Sequence, residues 1–297
     1  MLQLYRLIDY RGNSMKIGIA GWSLSNFVDN NEYKIIDYAK KFGYTDIDLS
    51  LEGVCYNFMD VSEKTMKKYY LKVYEYAKEN GVTINQTHAS YASFPNFTLE
   101  EYFKKIIRSI KCTSYVGAKY MIMHPQVFPK IEWNIDQKEL QYNIEFYSKL
   151  IPYLKKYNVK LCLENIYDWE GKPGQRSIRL IYYSKPQNLK ELVDKLNSEY
   201  IGICLDTGHM HIANEDMYNA IKVFDNKLWA LHIHDCYGIK DDHFTMYDGS
   251  INWQDVRNGL KDINYSGVYS LELKPISNEE EYYIKAYNDA KDLVGDL

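Results

Sequence analysis

At 297 residues, with 46% hydrophobic and 26% charged residues, the chain has the composition of a globular protein long enough to bury a sizeable core. Its 36 basic and 40 acidic residues leave a net charge of −4, so there is no global electrostatic footprint for nucleic acid. No apolar run approaches the ~20 residues needed to span a bilayer. The five cysteines (Cys55, Cys112, Cys162, Cys204, Cys236) show no CxxC pairing and read as reduced thiols of a cytoplasmic protein.

Taken in chain order, residues 1–14, "MLQLYRLIDYRGNS", lack a continuous signal-peptide core and read as an N-terminal extension before a domain at 15–297. The first half then offers candidate strands "KIGIAGW" (16–22), "TDIDLS" (45–50), "VTINQTH" (82–88) and "KYMIMH" (119–124). The second half adds "VKLCLE" (159–164), "IGICLD" (201–206), "LWALHIH" (228–234) and "VYSLELK" (268–274). Between them lie amphipathic stretches at 62–80, 99–115, 137–156 and 186–197, the first with Ser62 as a candidate N-cap. Repeated β-then-α units predict an α/β fold, a single (β/α)8 TIM barrel with its chemistry at the C-terminal strand ends. The runner-up, an open dinucleotide-binding sheet, is weakened because "GIAGWSLSN" lacks GxGxxG spacing. Residues 165–185 form the longest irregular insertion, where an active-site loop would lie.

The strand ends carry the functional signal. Glu164, Asp206, His232 and Glu272 fall at or near the ends of the last four strands. Two residues before them stand Cys162, Cys204, Ala230 and Ser270, all small, and the intervening positions are Leu163, Leu205, Leu231 and Leu271. Side chains alternate along a strand, so the leucines point outward to the helices while the small and polar residues share the interior. A single carboxylate at a strand end is usually a cap or a surface charge. Three of them in register with an imidazole imply a cation, because unpartnered buried charges cost several kcal/mol. The donor set suits one divalent ion: Mn²⁺, Mg²⁺, Co²⁺ or Zn²⁺.

In order along the chain, "CLENIYD", "ICLDTGHMHIA", "LHIHD", "DDHFTMYDGSINW" and "SLELKP" resemble the sugar phosphate isomerase/epimerase family of xylose isomerase-like TIM barrels. The resemblance implies one metal held by Glu164, Asp206, His232 and Glu272, with His209 of "DTGH" binding substrate. Members isomerise or epimerise sugars and polyols, and some dehydrate inosose or dehydroshikimate. The same superfamily contains endonuclease IV-type AP endonucleases, which bind three zinc ions. His88 in "QTHAS", His124 in "MHP", and Asp241 and His243 in "DDH" match that larger ligand set. Two departures count against it: "ENIYDWEG" lacks the small, Gly-rich continuation, and "MHPQ" lacks the glycine after the proline.

The expected function is therefore a metal-dependent sugar isomerase or epimerase, abstracting a proton from a ketose or related polyhydroxy carbonyl compound through a metal-stabilised enediolate. Glu164 and Glu272 are the candidate bases. His88, His124, His209, Asp241 and His243 are expected to contact substrate. Lys274, two past Glu272, would bind an anionic group, and Trp22 would form an apolar wall for the sugar. The partners expected are a small sugar or polyol, with no nucleic acid and no membrane; a homo-oligomer is left open.

Overall fold

Among the described residues there are ten short strands: β1 (Ile17–Ala20), β2 (Asp46–Ser50), β3 (Thr83–His88), β4 (Tyr120–Met123), β5 (Lys160–Glu164), β6 (Asp168–Glu170), β7 (Ser177–Arg179), β8 (Ile201–Asp206), β9 (Leu228–His232) and β10 (Tyr269–Leu271). The structure, a computed structural model, describes residues 16–28, 31–51, 61–89, 98–127, 135–171, 175–275 and 279–295. Eight of the strands pair in parallel in the order β10-β1-β2-β3-β4-β5-β8-β9. The ring closes between β9 and β10 through Ile233, whose amide donates to Ser270 and whose carbonyl accepts from Glu272. This is the (β/α)8 barrel expected from the β-then-α alternation. The proposed extension at 1–14 and Cys55 lie outside the described residues.

Helices follow the strands where the local signals are strong. α1 (Glu32–Phe42) starts at an Asn31 cap and stops at Gly43, whose φ of 96° is cheap only for glycine. α2 (Glu63–Glu79) has Ser62 as its N-cap, accepting from the Thr65 amide. α3 (Leu99–Tyr115) opens with a Thr98/Glu101 capping box and buries Tyr102, Ile106, Ile110 and Thr113, one face at helical spacing. α4 (Ile135–Tyr157), α5 (Pro186–Leu196), α6 (Thr207–Ile212), α7 (Met217–Phe224), α8 (Trp253–Asp262) and α9 (Glu280–Gly295) complete the described set. No helix among the described residues is long and apolar enough to cross a membrane.

The interior matches the alternation in the sequence. Leu163, Leu205, Leu231 and Leu271 are buried in the apolar layer between strands and helices. Ile122, Cys162, Cys204 and Ala230 form a separate small cluster inside the ring. Each buried leucine contributes about 1.5–3 kcal/mol of hydrophobic stabilisation. Cys112, Cys162, Cys204 and Cys236 are buried and outside any disulfide, and burial pushes the Cys162 and Cys204 thiols up, which keeps them neutral.

Two expectations need correction. The segment 165–185 is not irregular throughout: β6 and β7 form an antiparallel hairpin with Trp169 opposite Ile178. Three-residue strands are too short for a periodic signal to emerge. β10 ends at Leu271 instead of running to 274, and β1 gives way at Gly21 to a 3-10 turn, Gly21–Leu24, that carries Trp22.

Candidate metal centre

Glu164, Asp206, His232 and Glu272 meet at the C-terminal mouth of the ring. Each offers one ligand atom, and the four atoms lie within 4.8 Å of one another. The first three are at most 1% exposed and Glu272 is 8% exposed. Nδ1 of His232 has Glu164 Oε1 and Glu272 Oε2 both at 3.2 Å. That nitrogen and Glu164 Oε2 are buried and make no hydrogen bond. Buried polar atoms are normally paired, so an orphaned imidazole nitrogen facing two carboxylates marks a place for a cation. Three carboxylates and one imidazole fit a hard-to-borderline divalent ion.

The chain holds each donor by a separate device. Asp206 caps α6, its Oδ1 accepting the His209 amide at 2.7 Å. Its backbone is clamped by Asn165, which accepts from the Asp206 amide and donates to the Asp206 carbonyl. Glu272 accepts a 2.9 Å hydrogen bond from the Trp22 indole. Nε2 of His232 points the other way, to Asp48 Oδ2 at 2.7 Å. Burial alone would raise the Glu164 carboxyl, but the imidazoles of His232 and His124 outweigh it and hold Glu164 well below the usual carboxylate range.

Further donor groups flank the four. On one side, His88 Nε2 and His124 Nε2 lie 3.4 and 3.2 Å from Glu164 Oε2. On the other, Asp241 Oδ2 lies 3.1 Å from His243 Nε2 and 3.4 Å from His209 Nε2, and it accepts from the Tyr167 hydroxyl at 3.0 Å. His234 stacks on His243 with centroids 3.9 Å apart and reaches both Asp206 oxygens at 3.0 and 3.1 Å. His88–His124–Glu164, Asp206–His209–His234 and His234–Asp241–His243 are each compact enough to grip an ion. Burial works against a charge on His243, yet the hydrogen bond to Asp241 and the carboxylate of Glu272 prevail, and its pKa is raised to about 9.

Two sequence expectations fare differently here. Trp22 stands at the mouth, edge-on to His243 at 5.2 Å, but it contributes a polar N–H to Glu272 and is not simply an apolar wall. Lys274 is exposed, and its described contact is a backbone hydrogen bond to the His243 carbonyl. His211 Nε2 pairs with the Ser250 hydroxyl at 2.8 Å.

The sequence reading missed several residues that build the site. Asp235 is fully buried and accepts from the amides of Cys236, Tyr247 and Ile251 and from the Trp253 indole. It folds the loop carrying Asp241 and His243 back to the mouth. Asp48, Gln86, Asn165 and Tyr167 were likewise unseen. The available signal was the alternation of "TDIDLS", which puts Asp46, Asp48 and Ser50 on one face of a barrel strand.

Residues 36–288 match the family model described as xylose isomerase-like TIM barrel. The chain is 24% identical to a D-psicose 3-epimerase of Enterocloster bolteae, with 87% of this chain and 82% of that protein covered. It is 25% identical to a protein named "Probable endonuclease 4" of Mesomycoplasma hyopneumoniae strain J, with 66% and 71% covered. An uncharacterized protein of Methanocaldococcus jannaschii is 27% identical, and that match spans 64% of each chain. Among solved structures, a D-tagatose 3-epimerase-like protein superposes with a TM-score of 0.75 at 24% identity, covering 95% of this chain and 97% of that one. The chain belongs to the xylose isomerase-like TIM barrel family.

Proposed function

We propose that the protein is a metal-dependent isomerase or epimerase of a ketose or related polyhydroxy carbonyl compound. The observation that carries this reading is the meeting of Glu164 and Glu272 on one nitrogen of His232, both at 3.2 Å, with Asp206 completing the four donors. These four residues would hold one divalent ion. When bound, such an ion supplies a Lewis acid that favours negative charge on the substrate oxygens as the proton α to the carbonyl leaves.

The chain's own residues do the rest. Glu164 enters from β5 and Glu272 from beyond β10, with β8 and β9 between them in the ring, so their oxygens approach a substrate from different sides. Each is an acceptor for a proton on its own side, which inversion at one carbon requires. The Trp22 indole fixes one Glu272 oxygen and leaves the other for the site. His209 is hydrogen-bonded through Nδ1 to the Asn165 carbonyl at 3.0 Å, which orients its outer nitrogen toward Asp241 and an incoming hydroxyl. The similarity to D-psicose 3-epimerase supports this reaction class.

A second reading, phosphoester hydrolysis at a multinuclear site, is favoured by the donor groups that flank the four, His88–His124–Glu164 and His234–Asp241–His243, and by the similarity to "Probable endonuclease 4". One experiment separates them. Elemental analysis of the purified chain gives ions per chain, and the same sample is assayed on ketohexoses in deuterated water. One tightly held ion with deuterium incorporation at the epimerised carbon supports the isomerase. Three ions without exchange would transfer the reading to hydrolysis.

A further inference from the structure

We infer that Asp48, seated by Gln86, is the positioning residue that turns His232 toward the metal. Asp48 lies in the middle of β2, pointing into the ring, and is only 2% exposed. A carboxylate there is expensive unless it is hydrogen-bonded. Its Oδ2 accepts from His232 Nε2 at 2.7 Å and from Gln86 Nε2 at 2.9 Å. Gln86, 1% exposed, is the residue directly opposite Asp48 on β3.

That pairing depends on two irregularities in the sheet. Between β2 and β3 the register runs Ile47 to Ile84 and then Asp48 to Gln86, leaving Asn85 as an extra residue. Between β8 and β9 it runs Ile203 to Leu228 and then Cys204 to Ala230, leaving Trp229 extra. An extra residue reverses which face the following side chains take. The first bulge therefore turns Gln86 and His88 inward, and the second does the same for Ala230 and His232. Without them, Gln86 would face the helices and His232 would leave the mouth. Both bulges bear on the same hydrogen-bonded set.

The chemical consequence concerns which nitrogen holds the proton. An ionised carboxylate can only accept, so the neutral His232 ring carries its hydrogen on Nε2. Nδ1 then presents a lone pair toward Glu164 and Glu272, where it is buried without a hydrogen bond. A carboxylate behind a ligating imidazole fixes ring orientation and raises ligand basicity, and losing it typically weakens metal binding roughly 10–100-fold.

This inference rests on the metal reading above, and the test keeps the two apart. Asp48→Ala, Asp48→Asn and His232→Ala are prepared in the full chain, and Mn²⁺ and Zn²⁺ dissociation constants are measured by competition titration. Nitrogen-15 spectra of histidine-labelled apo protein report the His232 tautomer. Asp48→Ala should weaken binding roughly 10–100-fold and lose the Nε2–H signature of His232. Asp48→Asn should retain part of the affinity, because its amide oxygen still accepts. If Asp48→Ala fails to fold, Gln86→Leu provides the same readouts with the carboxylate present but unanchored, and a smaller weakening is expected. Wild-type affinity and an unchanged tautomer in Asp48→Ala, or in Gln86→Leu where that variant substitutes for it, overturn the assignment while His232→Ala still abolishes binding. If His232→Ala leaves binding intact, the metal reading and this inference fall together.

Discussion

The indole Nε1 of Trp22 donates to Glu272 Oε1 at 2.9 Å, while the other oxygen of that carboxylate stands 3.2 Å from His232 Nδ1. One side chain from the turn after β1 therefore sets the direction of a donor on the far side of the β10 junction. Hydrogen bonds to charged groups contribute about 1.5–3 kcal/mol, and 1.4 kcal/mol is a factor of about ten. Trp22→Phe keeps a ring beside His243 but removes the donor. Its kcat/KM is expected to fall roughly tenfold or more, with the far-UV spectrum unchanged. Wild-type kinetics in this variant would show that the bond does not orient Glu272.

The four-donor site predicts a sharp loss of metal on single substitutions. Asp206→Asn and His232→Ala should each bring the ion content of the dialysed chain close to zero and abolish turnover. The barrel should remain folded, because the helix-facing leucines and most of the core are untouched. Asp206→Asn retains an oxygen that can cap α6, so its helix content should match the wild type. Retention of a full equivalent of metal by either variant would falsify the ligand set.

How much of this was legible in the sequence depends on periodicity. The leucines and small residues around Glu164, Asp206, His232 and Glu272 kept strict alternation, and the structure brings those four together as the pattern implied. Asp48 belonged to an equally regular strand, but its partner Gln86 became visible only through the bulge at Asn85, which no alternation rule anticipates. Asp235 carried no local signal of its role, because its partners, Tyr247, Ile251 and Trp253, lie 12 to 18 residues away.

The flanking histidines bear on nucleic acid. A chain of net charge −4 whose strand-five glutamate is followed by "NIYDWEG" is expected not to cleave an abasic duplex when supplied with Zn²⁺. The check is a gel assay with wild type and His88→Ala side by side. Cleavage by the wild type that His88→Ala abolishes would make the multinuclear reading the better one.

Gly208 is predicted to be intolerant of any side chain. A Cβ built at this position would overlap the His234 ring, which lies directly on the glycine. His234 is fully buried and reaches both oxygens of Asp206, so it has no free direction in which to retreat. Gly208→Ala would ordinarily favour helix by about 1 kcal/mol. Here the expected result is the reverse, a destabilisation of about 1–3 kcal/mol from overpacking, accompanied by weaker metal binding as Asp206 is displaced. A thermal melt and a Mn²⁺ titration check both parts; a variant more stable than wild type would mean that the His234 ring has room to move.

The proton-transfer pair makes the most specific prediction. Glu164 and Glu272 rise from strands with β8 and β9 between them, and each has an oxygen 3.2 Å from the same His232 nitrogen. Their other oxygens have different surroundings: Glu164 Oε2 faces His88 and His124, and Glu272 Oε1 is fixed by Trp22. Two acceptors placed on two sides suit removal of a proton from one face of a carbon and its return to the other. Gln in place of either keeps the shape and removes the base. General-base loss typically costs 10²–10⁴-fold, so each single variant should lose at least about 10²-fold in epimerisation. The variants should differ in solvent exchange: each should wash deuterium into one epimer only, and into opposite epimers for Glu164→Gln and Glu272→Gln. Metal content must be measured in parallel, because both residues are also proposed ligands, and the exchange comparison counts only for variants that retain the ion. Near-normal epimerisation by a loaded Glu164→Gln or Glu272→Gln enzyme would remove that residue from the pair and require a different base.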